Sequence, residues 1–408
     1  MRNPSLPRVR LHPRRAMPFW CGHAWVLSGA IASSSEPDLA PGHLVLVEDD
    51  QGRAISVGVF HPDAQLRVRL LDVAEEEVSV THADALPAHF WLDRLRVALD
   101  CRRRHGLPSR ETTGYRVING EGDRIPGLIV DRLGDTAVLH VTAAFQWAAA
   151  PRWAQWIREE VGVRHCWVTV DALAAAREGL PEGTQLLCGD ATEAVTFLEG
   201  GLRFRADVAQ GQKTGFFLDQ RDNRARFAAR IQPGERVLDA YAYTGAFALY
   251  ALRAGAAEAV AVDSSASALE GARAHAADNG LDSRLTSVQA KVEHYLRSCV
   301  DRGERFDHVS LDPPKLAAGD TAVDGALRKL RHLCADALRL LAPGGQLFVS
   351  SCSHRLGVEE LVRTLREASG SARVGLTVEG TSGHPPDHPW PAAMGEMRYL
   401  SALQARRL

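Results

Sequence analysis

Hydrophobic and polar positions change period twice along this chain. Up to about Asp72 the apolar residues come in short runs. VLVED (45–49) precedes the turn DDQGR, AISVGVF (54–60) follows it, and LRVRLLD closes the stretch from Leu66 to Asp72. Runs of this length around a glycine-bearing turn predict a hairpin within a small β-rich module. From about Ala83 the spacing becomes helical. Phe90 to His105 predicts a helix closed by Gly106 and Pro108, and Ala150 to Glu160 predicts a second. Between them GYRVINGEGDRIPGLIVDRLGDTAVLHV predicts two or three strands, and HCWVTVD adds another. This is an α+β pattern with helices on one side of the strands.

From about Asp207 strand and helix alternate. RVLDAY leads into a helix over Ala246 to Ala254 stopped by Gly255, and AVAVD into a helix over Ala266 to Ala277 stopped near Gly280. RLTSVQA, HVSLD and QLFVSS supply further strands, and Thr321 to Leu341 and Val358 to Ala368 further helices. Repeated βα units predict a doubly wound, Rossmann-like and mainly parallel sheet, with ligands at the carboxyl ends of its strands. The expected whole is a multidomain α/β chain: a β-rich module over 1–78, an α+β domain over 79–206 and the parallel sheet over 207–408.

Composition narrows the classes. The 408 residues are 45% apolar and 24% charged, ordinary for a folded soluble protein. No run approaches the ~18–20 apolar residues of a membrane helix, so no membrane partner is expected. A net charge of -2 neither demands nor excludes nucleic acid. Arginine is nonetheless clustered: Arg2, Arg8, Arg10, Arg14 and Arg15 precede any acid, and a second group runs from Arg94 to Arg110. Such clusters suit a solvated face or a nucleic-acid partner equally. The seven cysteines form no CxxC pair and no zinc-type spacing with histidine. No bound metal is expected, and the thiols read as reduced in a cytoplasmic protein.

The glycines discriminate among nucleotide ligands. A dinucleotide needs G-x-G-x-x-G after the first strand; after Asp239 the turn has one glycine, Gly245. GQKTG at Gly211 imitates a triphosphate loop with the wrong spacing. A phosphate-free cofactor such as S-adenosylmethionine needs neither device. It needs a tight turn under its amino acid end, which Asp239 and Gly245 suit, and a carboxylate for the ribose diol, which Asp263 at the end of the next strand suits. Asp263 as a helix N-cap is the competing reading, with Ser264 and Ser265 as rivals for that place.

The chemical half lies in LDPPK and QLFVSSCSH. Proline holds the preceding residue extended, so Asp312 is fixed at a strand end, while Pro313 and Pro314 offer carbonyls and a rigid wall to a base. Lys315 stands where exocyclic-amine methylation wants an aromatic, which points to ring-carbon chemistry. Carbon 5 of a pyrimidine is too electron-poor to attack a methyl group until a thiolate adds at carbon 6. Cys352, at the end of its strand, is the candidate nucleophile, with Asp312 on the ring edge. The base must be single-stranded or flipped.

GQKTGFFLDQRDNR (211–224), LDAYAYTGAF, VAVDSSASAL, LDPPK and VSSCS, with NGEGDRIPGLIVDR (119–132), HAWVLSGAI and DHP (387–389), resemble the bacterial and archaeal ribosomal RNA 5-methylcytosine methyltransferases with an N-terminal PUA domain. The resemblance spans nearly the whole chain. It implies a PUA-like RNA-binding module, a joining domain and a class I methyltransferase domain using S-adenosylmethionine. Cys352 and Asp312 would be catalytic, Pro313, Pro314 and Lys315 would meet the substrate, and Lys213, Phe216, Asp219, Gln220 and Arg221 would lie by the cofactor with Asp239, Gly245 and Asp263. Large-subunit ribosomal RNA is the implied partner, and a homodimer is left open. One position departs: where the family offers an aspartate to adenine this chain has Lys291, which cannot accept that hydrogen bond. Two alternatives stay open, uridine methylation at carbon 5 and an RNA-binding assembly factor without catalysis. The uridine family that shares this thiol chemistry has SCNP where this chain has Ser351-Cys352-Ser353-His354.

Overall fold

The structure, a computed structural model, describes residues 5–36, 38–191, 194–209, 215–316 and 323–408. They gather into two compact units. The first comprises Met1–Phe197, Ala206–Phe216 and Pro386–Gly395; the second comprises Leu198–Arg205, Phe217–Pro385 and Glu396–Leu408.

In the first unit β1 (Arg8–Leu11), α1 (Met17–Trp20), β2 (Trp25–Leu27), β3 (Ile31–Ser34), β4 (Leu44–Glu48), β5 (Ala54–Phe60) and β6 (Leu66–Leu70) build a six-stranded sheet of order β2-β6-β5-β4-β1-β3. The expected hairpin is β4–β5, antiparallel with Leu44 opposite Val59. After it come α2 (Ala88–Arg104), β7 (Gly114–Asn119), β8 (Leu128–Leu133), β9 (Thr136–Val141), α3 (Ala144–Val161), β10 (His165–Val170), α4 (Ala172–Glu178) and β11 (Gly183–Cys188). Their five strands run β11-β10-β9-β8-β7, with Trp91 and Leu95 of α2 and Trp153 and Ile157 of α3 in one core with the sheet. Helix α3 starts six residues before the expected Ala150 and contains Pro151. The bond lost at proline is outweighed because Ala149, Ala150 and Trp153 are buried.

A polar lock ties 386–395 into this unit. The Arg102 guanidinium, 1% exposed, forks onto Asp123 at 2.5 and 2.7 Å and donates to the Asp387 carbonyl at 2.9 Å. The Arg116 backbone N–H donates to the Asp387 carboxylate, and Asn119 Nδ2 to the Pro389 carbonyl at 2.7 Å. A Cβ at Gly122 would lie 2.0 Å from that same oxygen, so only glycine fits there. The NGEGDR stretch is thus shaped by the segment that it grips.

A ribbon of β12 (Val195–Glu199) and β13 (Leu202–Ala206) precedes the second unit's helices and strands. These are α5 (Arg221–Ala228), β14 (Arg236–Ala240), α6 (Ala246–Ala254), β15 (Glu258–Asp263), α7 (Ala266–Asp278), β16 (Leu285–Gln289), α8 (Val292–Asp301), β17 (Phe306–Leu311), α9 (Val323–Leu340), β18 (Leu341–Ser351), α10 (Val358–Ala372), β19 (Leu376–Ser382) and β20 (Ser401–Arg407). The seven-stranded order is β16-β15-β14-β17-β18-β20-β19. Strands β14 to β18 are mutually parallel, and β20 runs antiparallel between β18 and β19. Alternate residues separate the faces: Leu238 and Ala240 join α8, α9 and α10 in one core, while Phe348 packs edge-on against Phe227 of α5 and at a tilt against Phe247 of α6 on the other. The doubly wound, mainly parallel expectation holds, and the antiparallel β20 is an addition to it. Strand order reverses between β14 and β17, where an open sheet leaves its ligand crevice.

Replacing Arg102 with methionine strands Asp123 as a buried, unpaired carboxylate. A loss of about 3–5 kcal/mol in unfolding free energy is expected from urea titration. The exposed Arg104→Met control should barely move.

Candidate active site

Strand register brings the predicted strand ends together. Asp239 is opposite Ser310 in the β14–β17 pair, and Leu311 is opposite Val349 in the β17–β18 pair. Asp312 therefore emerges beside Ser350, with Cys352 two residues on, just past the end of the neighbouring strand.

Asp239 is 1% exposed and turned inward. One oxygen accepts from Ser310 Oγ at 2.7 Å, the other from the Ala248 N–H at 3.0 Å. Burial pushes its carboxyl up to about 6 against those two bonds, with Asp312 and Asp263 adding repulsion. Its task is to pin the start of α6. Between β14 and α6, Tyr241 and Tyr243 have φ of 63° and 47°, and Gly245 has φ 75°. A Cβ on Gly245 would sit 2.9 Å from that of Ala272, so glycine is required. Two tyrosines held in the left-handed region are stored strain of the kind found at ligand clamps.

Asp263 ends β15 half-buried, and accepts from the Tyr243 and Ser265 N–H groups, each at 2.9 Å. The N-cap of α7 is Ser265, whose hydroxyl accepts from Ala268. Asp263 is not the cap. It braces the strained loop while each oxygen keeps a second lone pair. Lys291 is exposed at the N-cap of α8. Nearby on α8, burial pushes the Glu293 carboxyl up, but the Lys329 ammonium at 2.6 Å carries it below the usual range.

Asp312 is half-buried, and its Oδ1 accepts from Ser350 Oγ. Burial pushes the carboxyl up to about 6; the Ser350 and Gln220 hydrogen bonds and the Arg224 charge oppose this, while Asp219 reinforces it. Cys352 is outside any disulfide, has intermediate exposure and follows the last residue of β18. Pro313 is buried, and Pro314 and Lys315 are exposed.

The GQKTGFFLDQR stretch divides. Lys213 lies outside the described residues. Phe216 belongs to the first unit and packs edge-on against Phe197 at 5.1 Å. Asp219 accepts from Tyr399 Oη at 2.6 Å, Arg221 contacts Asp222 at 3.1 Å, and Gln220 reaches Ser350. Arg224 forks onto the fully buried Glu199 at 2.8 and 2.9 Å and also holds the Phe217 carbonyl. Sequence reasoning passed over Ser310, Ser350, Asn223 and the Arg224–Glu199 pair. The available signal was Ser350, a serine inside the apolar run QLFVSS. Among the described residues no group of histidine, cysteine and acids is disposed to hold a metal, and no helix is long and apolar enough to cross a membrane.

A family model described as S-adenosylmethionine-dependent methyltransferase matches residues 145–394, and a PUA-like domain model matches 9–72. A Deinococcus radiodurans protein named Ribosomal RNA large subunit methyltransferase is 36% identical over 98% of this chain and 97% of its own length. Ribosomal RNA large subunit methyltransferase I of Shewanella denitrificans is 34% identical over 98% and 99%. A solved methyltransferase complexed with SAH superposes with a TM-score of 0.81 at 20% identity, covering 99% of this chain and 100% of that one.

An acid whose pKa is higher folded than unfolded keeps its proton better when folded. Asp239 and Asp312, raised from the usual 3.8 to about 6, therefore favour the folded state in acid, and that contribution is lost as pH rises through about 6. Urea midpoints measured from pH 4 to 7 should show a smaller decline for Asp312→Asn than for wild type. An identical decline would mean that Asp312 titrates as an ordinary carboxylate.

Proposed function

The chain belongs to the S-adenosylmethionine-dependent methyltransferases and carries an N-terminal PUA-like domain, and on that premise we propose that it methylates carbon 5 of a cytosine in large-subunit ribosomal RNA through a covalent Cys352 adduct. The names of its relatives, matched along almost their entire lengths, support the RNA class. Residues 1–78 would then grip RNA, 79–206 would join that module to the catalytic domain over 207–408, and the cytoplasm is where its substrate would be.

The cofactor finds a fitting cradle. The Tyr241–Gly245 loop is close enough to α7 that a side chain at Gly245 would collide, and Asp263 retains acceptor capacity at the next strand end. When bound, S-adenosylmethionine supplies an electrophilic methyl group. The chain's own part begins at Cys352. Its thiolate is the form that would attack carbon 6.

The observation that carries the cytosine reading is the Asp312 carboxyl, pushed up to about 6 beside the strand end that bears Cys352. As sulfur bonds to carbon 6, negative charge develops toward N3. An acid there donates a proton to that nitrogen, so that carbon 5 becomes nucleophilic. Cytosine presents an acceptor at N3, whereas uracil presents an N–H. After methylation the carbon 5 proton is lost to solvent as the carbon–sulfur bond breaks, its electron pair returning to sulfur as thiolate, and N3 returns its proton to Asp312.

Cys352→Ala should bind S-adenosylmethionine with wild-type affinity by calorimetry and leave no 5-methylcytosine in large-subunit RNA from cells lacking the native protein. A fully active alanine variant sinks the covalent route. Asp312→Asn should retain cofactor binding and lose about 10²–10⁴-fold in turnover.

A further inference from the structure

Four side chains of the second unit form a directed line of hydrogen bonds that ends on Asp312. Its origin is a backbone carbonyl, which can only accept. Asn223 Nδ2 lies 3.5 Å from the Gly383 oxygen and 2.6 Å from Gln220 Oε1. Each of its two hydrogens thus has an acceptor, which orients the Asn223 amide. With Gln220 Oε1 already engaged by Asn223, the group that Gln220 turns to Ser350 is Nε2, at 3.4 Å from Oγ. Nε2 donates, so it offers no acceptor for the Ser350 proton. The serine hydroxyl therefore points at Asp312 Oδ1. Asn223, Gln220 and Ser350 are 1%, 4% and 0% exposed, so no bulk solvent competes for these bonds.

Resting on the cytosine reading above, we propose that Ser350 and Gln220 are positioning residues that keep Oδ1 of Asp312 as an acceptor, so that the catalytic proton resides on Oδ2 and is presented to N3 of the base. Proton placement is then a specificity device. A carboxyl free to carry its proton on either oxygen, or to turn, serves the acceptor of cytosine and the donor of uracil with less distinction. Held at Oδ1, it delivers one proton from Oδ2 to N3 as the Cys352 sulfur adds to carbon 6. The same proton comes back when that bond breaks, so the residue ends each turnover as it began. Gln220 also hydrogen-bonds Asp312 directly. The other groups facing Asp312 are Asp219 just before α5, Arg224 on α5, and Asp239 on β14. None of these three can replace the hydroxyl: two are acceptors, and Arg224 is committed to Glu199.

The test uses the full chain and large-subunit RNA carrying either cytidine or uridine at the target. Ser350→Ala and Gln220→Ala are compared with wild type for cofactor affinity by calorimetry, for the pH profile of turnover, and for the cytidine-to-uridine ratio. For Ser350→Ala cofactor affinity should stay within about twofold. Turnover should fall by roughly 10- to 100-fold. The acidic limb of the profile should move to higher pH, since both bonds favour the carboxylate, and discrimination against uridine should weaken by at least about tenfold. Gln220→Ala, lying off the strand, keeps the test open if Ser350→Ala disturbs packing. A fall in turnover with limb and ratio both unmoved overturns the inference and leaves cytosine chemistry intact. A wild-type protein that makes no 5-methylcytosine, or a Cys352→Ala variant that does, removes the underlying reading, and the inference with it.

Discussion

A carboxylate at the carboxyl end of a buried parallel strand must be satisfied without water, and this constraint organises the catalytic unit. Asp239, Asp263 and Asp312 lie at or just past the ends of three strands, and burial, with neighbouring carboxylates adding to it, raises Asp239 and Asp312 to about 6. Each is met by a different kind of donor: Asp239 by a serine and the first turn of α6, Asp263 by backbone N–H groups of a strained loop, Asp312 by a serine backed by an amide. The differences in donor sort the three acids into a turn-holder, a loop brace with spare lone pairs, and an acid held at Oδ1 by a serine hydroxyl. Similar residues at equivalent strand ends thus come to do unlike work.

The fold was legible because its signal is periodic. Repeated βα units, with Gly255 and Gly280 as stops, announce a parallel sheet, and the helix after Gly245 has the bounds its apolar spacing suggests. What escaped was non-local. Strand β20 reads as an unremarkable SALQARR, and its place between β18 and β19 is set by pairing rather than by local pattern. The helix expected from Ala150 in fact begins at Ala144, a start that local spacing did not mark and that burial of Ala149, Ala150 and Trp153 supports.

The candidate site divides the same way. Asp239, Gly245, Asp263, Asp312 and Cys352 stand out because strand ends and turns leave short motifs. Gln220 was legible as part of a motif but not as a partner of Ser350, from which it is separated by 130 positions. Hydrogen-bond direction has no sequence signature at all: it follows from which carbonyl happens to face Asn223. The choice between a capping and a ligand-facing Asp263 likewise needed coordinates, since Ser264 and Ser265 were equally plausible caps until Ser265 was seen to accept from Ala268.

The polar lock around Arg102 also sets a timetable. Its guanidinium meets the carbonyl of a residue 285 positions later in the chain. At a ribosomal rate of roughly 5–20 residues per second, that carbonyl is made about a quarter of a minute to a minute after the arginine. Until then the nascent first unit holds a gap where 386–395 belongs, and the NGEGDR loop shaped around Pro389 has nothing to close on. The amino-terminal unit of this protein is therefore closed late, by residues that leave the ribosome just before β20 completes the second unit's sheet.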